Sequence, residues 1–195
     1  MRAVTSLPHA WFARDARIVA RALLGCRLVH QRAGEPPRVA RIVETEAYCG
    51  PLDLACHARV GLTRRTRTLL GPPGHAYVYF IYGMHDCFNV TCLREGAGHA
   101  VLVRAAEAES GLPPGTRLDG PGRFARGMGI TRALDGEDLT GPRLHLLPRE
   151  RRPRIAITAR VGVGYAGEWA DRPWRFYDAS SVHVSKPPRQ AIGRS

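Results

Sequence analysis

Residues 76–108 read AYVYFIYGMHDCFNVTCLREGAGHAVLVRAAEA, and this stretch decides the fold. Ala76–Tyr82 is dense in aromatic and β-branched residues, which fit a pleated, half-buried surface. Gly83-Met84-His85 supplies a turn, Cys87–Leu93 a second strand, Arg94–Gly98 another turn and His99–Ala108 a third strand. Turns this short demand antiparallel neighbours, because parallel strands need a crossover of about a dozen residues or more. Working outward, Cys26–Gln31 and Arg38–Tyr48 read as two strands around Gly34-Glu35-Pro36-Pro37. Leu144–Leu147, Ile155–Val163 and Trp174–Tyr177 read as three more. Helices are few. Trp11–Leu24 sets Phe12, Ala16, Val19 and Leu23 on one face, with Gly25 as its stop, and Arg123–Ile130 is a short helix weakened by Gly127 and Gly129. The pattern predicts an α+β fold: one domain over residues 1–195, a curved, mainly antiparallel sheet with peripheral helices, and 186–195 as a tail.

At 195 residues, 44% hydrophobic and 24% charged, the chain is globular and large enough for a sizeable core. It has no apolar run of the roughly 18–20 residues a bilayer span needs, so no membrane partner is expected. Met1–Trp11 lacks the basic start and apolar stretch of a secretory signal. A cytoplasmic monomer, nucleoid-associated if bacterial, is the expectation. Twenty-nine basic residues against seventeen acidic give +12, which suits a polyanion whose counterions are released on binding. Codon bias accounts for arginine over lysine, but not for base over acid. The five cysteines form no CxxC pair, and Cys56 beside His57 has no second pair at ligand spacing. No metal and no cofactor are called for.

Val43-Glu44-Thr45-Glu46-Ala47-Tyr48 carries the chemistry. Alternation on a strand puts Glu44, Glu46 and Tyr48 on one face and Thr45 and Ala47 on the other. Two carboxylates and a phenol ahead of a long Gly/Pro loop form either an active-site edge or a solvated face; spacing alone does not separate Glu44 from Glu46. Tyr77 and Tyr79 share a strand face, as core aromatics or as stacking surfaces for bases. Between His57 and Tyr77 the loop carries Arg59, Arg64, Arg65 and Arg67, which read as phosphate clamps.

The strings RIVETEAYCGP, ACHA, GPPGHAYVYFIYGMH, FNV, AVLVRA, GPGR and ARVGVGYAGEW resemble the alkyladenine (3-methyladenine) DNA glycosylase family, in that family's order and over nearly the whole chain. The resemblance implies a partner, double-stranded DNA containing damaged purines, and an activity, hydrolysis of the N-glycosidic bond of a flipped base. It implies Glu46 as the general base that activates water, with Arg104 and the backbone carbonyl of Val161 holding that water. Tyr48, His57 and Tyr79 become the walls around the base, and Asn89 the group that hinders a guanine-type 2-amino substituent. Tyr82 becomes the wedge that intercalates into the duplex. Leu69 falls in the segment that, in relatives, reaches the opposite strand.

Thr66, Leu69-Leu70 and Ala108 depart from the family's common residues. The only lysine is Lys186, at the edge of the expected tail, so an amine nucleophile is not at hand and water is the expected attacking group. Two other classes compete: a non-catalytic damaged-DNA-binding protein, against which Glu46 and Arg104 argue, and a hydrolase of free nucleosides, which would need neither basic clamp nor wedge.

Overall fold

The computed structural model describes residues 5–81 and 83–185. Eight strands form one antiparallel sheet: β1 Arg27–His30, β2 Arg38–Cys49, β3 Ala76–Ile81, β4 His85–Cys92, β5 His99–Ser110, β6 Leu144–Leu147, β7 Ile155–Thr158 and β8 Arg175–Asp178. The main path runs β3-β4-β5-β2-β1-β6. The β3–β4–β5 meander is the one its turns predict, with Ile81 facing His85 and Cys92 facing His99. β2 is the organising strand. β5 pairs along one side of it, while β1 takes Arg38–Arg41 and β8 takes Glu44–Glu46 on the other. A strand whose partner changes midway splits the sheet, which curls around the resulting fork.

Three helices lie around this sheet: α1 His9–Phe12, α2 Ala16–Leu23 and α3 Pro121–Met128. The single helix expected over Trp11–Leu24 is two, broken at Ala13–Asp15. Asp15 explains the break: its carboxylate accepts from the Arg17 amide at 2.9 Å and caps the new N-terminus, a contact that outcompetes continuation. α2 buries Ala16, Val19, Ala20 and Leu23 against the core face of β2 and β5, and α3 buries Phe124, Ala125 and Met128. Fully burying a large apolar side chain contributes roughly 1.5–3 kcal/mol, so these faces fix the helices more than propensity does. The strand expected over Ile155–Val163 stops at Thr158, and the residues after it turn toward the site instead. Tyr82 and the tail 186–195 lie outside the described residues.

The ladder between β2 and β5 carries three irregularities, of which one, at Val39/Ala40, lies at its far end and two adjacent, offset ones set the site. Ile42 faces Ala106 and Glu44 faces Ala105, which leaves Val43 as an extra residue on β2. Thr45 then faces Val103, which leaves Arg104 as the extra residue on β5. Each bulge inverts the inside–outside alternation of its strand. Ala40 and Ile42 pack into the core, yet beyond the bulge it is Ala47 that joins them, while the Thr45 hydroxyl donates to Ala20 O of α2 at 2.9 Å. Glu44, Glu46 and Tyr48 are thereby turned to the opposite face. On β5, Val101, Val103 and Ala106 face the core and Arg104 faces away.

Candidate active site

The two bulges bring two carboxylates and one guanidinium to the same face. Glu44 and Glu46 are fully buried and Arg104 nearly so. Arg104 spans them, with Nε donating to Glu44 Oε1 at 3.0 Å and Nη1 to Glu46 Oε2 at 3.3 Å. The acids differ in what else they hold. Glu44 also accepts from Arg175 Nε at 2.7 Å, from the Ser185 amide at 2.6 Å and from the Ser185 hydroxyl at 3.0 Å. Two guanidinium groups and a serine thus occupy both of its oxygens. Glu46 Oε1 accepts one bond, from the Val161 amide at 2.7 Å, and Oε2 also takes the Tyr48 hydroxyl at 3.0 Å. A carboxylate has about four lone-pair sites, so Glu46 retains acceptor capacity for a water. Glu44 anchors Arg104; Glu46 is the acid with acceptor capacity to spare.

All three partners of Glu46 line a cavity of about 330 Å³, of the size that encloses a small planar ligand. Tyr48, His57, Tyr79 and Asn89, the expected base walls and filter, line it as well. His57 meets Tyr79 edge-on at 4.6 Å between centroids, and its Nδ1 lies 3.0 Å from the Tyr77 hydroxyl. Asn89 is buried, its amide donating to the carbonyls of Tyr77 at 3.1 Å and Cys87 at 3.4 Å, so backbone fixes its orientation. Burial, then the charges of Arg65 and Arg59, push the His57 imidazole down to about 4. Burial raises the Tyr77 phenol to about 12 and holds Tyr48 and Tyr79 well above their ordinary range. The aromatic walls are therefore uncharged near neutral pH.

The loop after β2 supplies the outer wall. Residues His57–Val60 form a 3-10 turn. Gly98, at φ +66°, lets that turn close on the sheet, since a Cβ there would stand 2.5 Å from the Ala58 side chain. Thr66 ties the loop: its hydroxyl accepts from the Thr63 amide at 2.8 Å and donates to Gly61 O at 2.7 Å. The departure at Thr66 is thus a hydroxyl that knots the turn on its own. Arg59, Arg64, Arg65 and Arg67 are all exposed. Arg65 differs from the others, lying 5.2 Å from the centre of the ring of Tyr79, a cavity wall.

One expectation needs correction. Leu69, expected at the DNA, is 2% exposed and lines the cavity, packed with Cys56, Ala58 and Tyr77. An apolar side chain next to this pocket is better removed from water than presented to it. Val161 touches Glu46 through its amide, a group distinct from the carbonyl expected to hold the water. Sequence reasoning gave Asp53 no catalytic role, read Arg175 only as a weaker phosphate contact, and passed over Arg160 and Ser185. Arg160 forks onto Asp53 at 2.6 and 2.9 Å, with both side chains fully buried. The signal at Asp53, Arg160 and Arg175 is a charged residue with apolar neighbours, readable only through its distant partner, and Ser185 carries no such signal. Among the described residues, Asp15, Cys49 and His99 have ligand-like spacing, but Arg17 grips both oxygens of Asp15 at 2.7 and 2.9 Å.

The profile of the methylpurine-DNA glycosylase family matches residues 10–182. The chain belongs to that family. A relative from Myxococcus xanthus (strain DK1622) is 55% identical over 184 residues, covering 93% of this chain and 94% of its own length. One from Methanocella arvoryzae (strain DSM 22066 / NBRC 105507 / MRE50) is 47% identical over 193 residues, covering 92% and 96%. One from Legionella pneumophila (strain Lens) is 43% identical over 182 residues, covering 92% and 98%. All three are provisionally named 3-methyladenine DNA glycosylases. Membership in the methylpurine-DNA glycosylase family makes DNA the substrate class, in keeping with the basic excess and the exposed arginines. No described helix is long and apolar enough to cross a membrane.

Proposed function

We propose that the chain flips an alkylated purine out of duplex DNA into the cavity beside Tyr48 and hydrolyses its N-glycosidic bond with a water activated by Glu46. The observation that carries this reading is the triple hold on Glu46 by Tyr48, Arg104 and the Val161 amide, at the wall of an aromatic cavity. A base inside the duplex is out of reach, and extruding it costs a few kcal/mol of unstacking and unpairing. Stacking against Tyr48, His57 and Tyr79 offsets that at roughly 1–3 kcal/mol per base. N-alkylation makes a purine cationic, so neutral walls accept it without repulsion and the base leaves readily.

Glu46 takes a proton from water aimed at the anomeric carbon, and its charge stabilises the positive charge developing on the sugar. The fork of Arg104 between Glu44 and Glu46 fixes where that carboxylate stands. The base departs and an abasic site remains. With Lys186 the only lysine, the enzyme is monofunctional and forms no Schiff base with the sugar. Arg59, Arg64 and Arg67 hold the phosphates near the cavity mouth, Tyr82 fills the gap in the duplex, and Asn89 limits bases with a 2-amino group. 3-Methyladenine is the principal lesion, with 7-methylguanine, ethenoadenine and hypoxanthine as further candidates. A panel of single-lesion duplexes assayed with wild type and Glu46→Gln tests the reading. Excision by wild type alone supports it, and absence of excision by wild type on every lesion rejects it.

A further inference from the structure

The cavity wall has a charged backing that the mechanism above does not use. Behind Tyr48 lies Arg160, whose guanidinium carbon stands 4.8 Å from the centre of the Tyr48 ring and 5.0 Å from that of Trp174. Arg160 is not among the residues lining the cavity, so its side chain occupies a layer behind the ring that the base would stack on. The position is tightly held. Nη1 donates to Ala47 O at 3.0 Å and Asp53 Oδ2 at 2.6 Å, and Nη2 to Asp53 Oδ1 at 2.9 Å and Trp169 O at 3.0 Å. These four bonds all come from the two terminal nitrogens, which fixes the plane of the guanidinium. Asp53 is itself fixed by the amides of Cys49 and Ala55, both at 3.1 Å. Arg160 stands against the Trp174 and Tyr48 rings, and of these three side chains Tyr48 alone lines the cavity.

A cation against one face of an aromatic ring draws the ring's electron density toward itself. The opposite face then attracts a second cation less strongly. Two cations across one ring stand roughly 8–9 Å apart, close enough to repel in a dry interior and only partly offset by the carboxylate behind. We propose that Arg160 is a specificity-determining residue: its cation, held behind Tyr48, restrains the cavity's preference for positively charged bases and so keeps neutral damaged purines within range. This rests on reading the cavity as a base pocket. Glu46 favours cationic bases on one side of the pocket; Arg160 opposes that bias from another, and the balance sets the lesion range.

The test compares two bases of one shape and different charge, 7-methylguanine and 7-methyl-7-deazaguanine, each placed once in the same duplex. Binding is measured in the full chain carrying Glu46→Gln, where excision does not interfere. Adding Asp53→Asn together with Arg160→Gln removes both charges while leaving no buried ion unpaired. The ratio of affinities, cationic over neutral, is expected to rise about three- to tenfold. Arg160→Lys, which keeps the cation, is expected to hold the ratio near its starting value. A merely structural pair would weaken both duplexes alike, and an unchanged ratio in the Asp53→Asn/Arg160→Gln chain overturns the proposal. Equal binding of lesion and undamaged duplexes by the Glu46→Gln chain, with no excision by wild type, would instead overturn the base-pocket reading, and the inference with it.

Discussion

The Val161 amide donates to Oε1 of Glu46 at 2.7 Å, joining residues 115 apart in sequence. A backbone donor does not swing away as a side chain can. With Tyr48 and Arg104 on the other oxygen, it leaves the carboxylate one orientation. Glu44 has the same chemistry and the same strand face, but Arg175 and Ser185 close it off.

That difference separates the two acids experimentally. Glu46→Gln is expected to lower single-turnover excision by about a thousandfold or more while lesion binding persists. Glu44→Gln is expected to retain measurable excision and to lose about 3–5 kcal/mol of stability in chemical denaturation, because two guanidinium groups lose a buried counter-charge. Equal loss of activity from both would leave Glu46 without its assigned role.

His57 gives a pH dependence with a definite sign. Its folded-state value, about 4, lies below the ordinary 6.5, so the unfolded chain takes up the proton first as pH falls. Stability from the neutral ring is complete above about 6.5 and is lost as pH drops toward about 4, by at most about 3 kcal/mol. Denaturation of wild type and His57→Asn from pH 7 to 4 checks this, since the variant should show the shallower decline. Parallel curves would show that other groups carry the slope.

Leu69→Ala probes the corrected position. Truncating a buried leucine costs about 2–5 kcal/mol and leaves a void, here at the wall of the cavity. A lower melting temperature is expected, together with weakened discrimination among lesions; a DNA-contacting leucine would instead reduce binding with the melting temperature unchanged.

Reversing Arg64 and Arg67 to glutamate is expected to weaken binding to damaged and undamaged duplexes alike. For every phosphate no longer neutralised, the slope of log affinity against log salt should flatten by about 0.9. Arg65 is left intact in this test because it also touches the Tyr79 ring. An unchanged slope would place the DNA backbone elsewhere.

What sequence reveals here follows the range of the forces involved. The β3–β4–β5 meander is legible because its aromatic strands and short turns are local. The break before α2 is not, since the apolar spacing runs through Asp15 and only its capping bond stops the helix. Alternation puts Glu44, Glu46 and Tyr48 on one face, which is how they stand, but it says nothing of the bulge at Val43 that chooses the face. Arg160 reads as one more basic residue among 28 arginines until Asp53, 107 positions away, is seen beside it. The end of β7 at Thr158 is similarly set by a distant contact, the pull of Val161 toward Glu46.

The extra residues at Val43 and Arg104 also constrain how this protein can vary. Closing the bulge at Val43 with every residue kept would exchange the two faces of everything downstream in β2, driving Glu44 and Glu46 toward α2 and lifting Thr45 and Ala47 into the pocket, whereas deleting Val43 itself would leave those faces as they are. Closing the bulge at Arg104 in the same way would set Val103 and Ala106 on opposite faces of β5. A residue added or removed away from the bulges shifts the same parity. The ladder behaves as a two-key lock, in which both bulges must hold for the two carboxylates and the guanidinium to meet on one face.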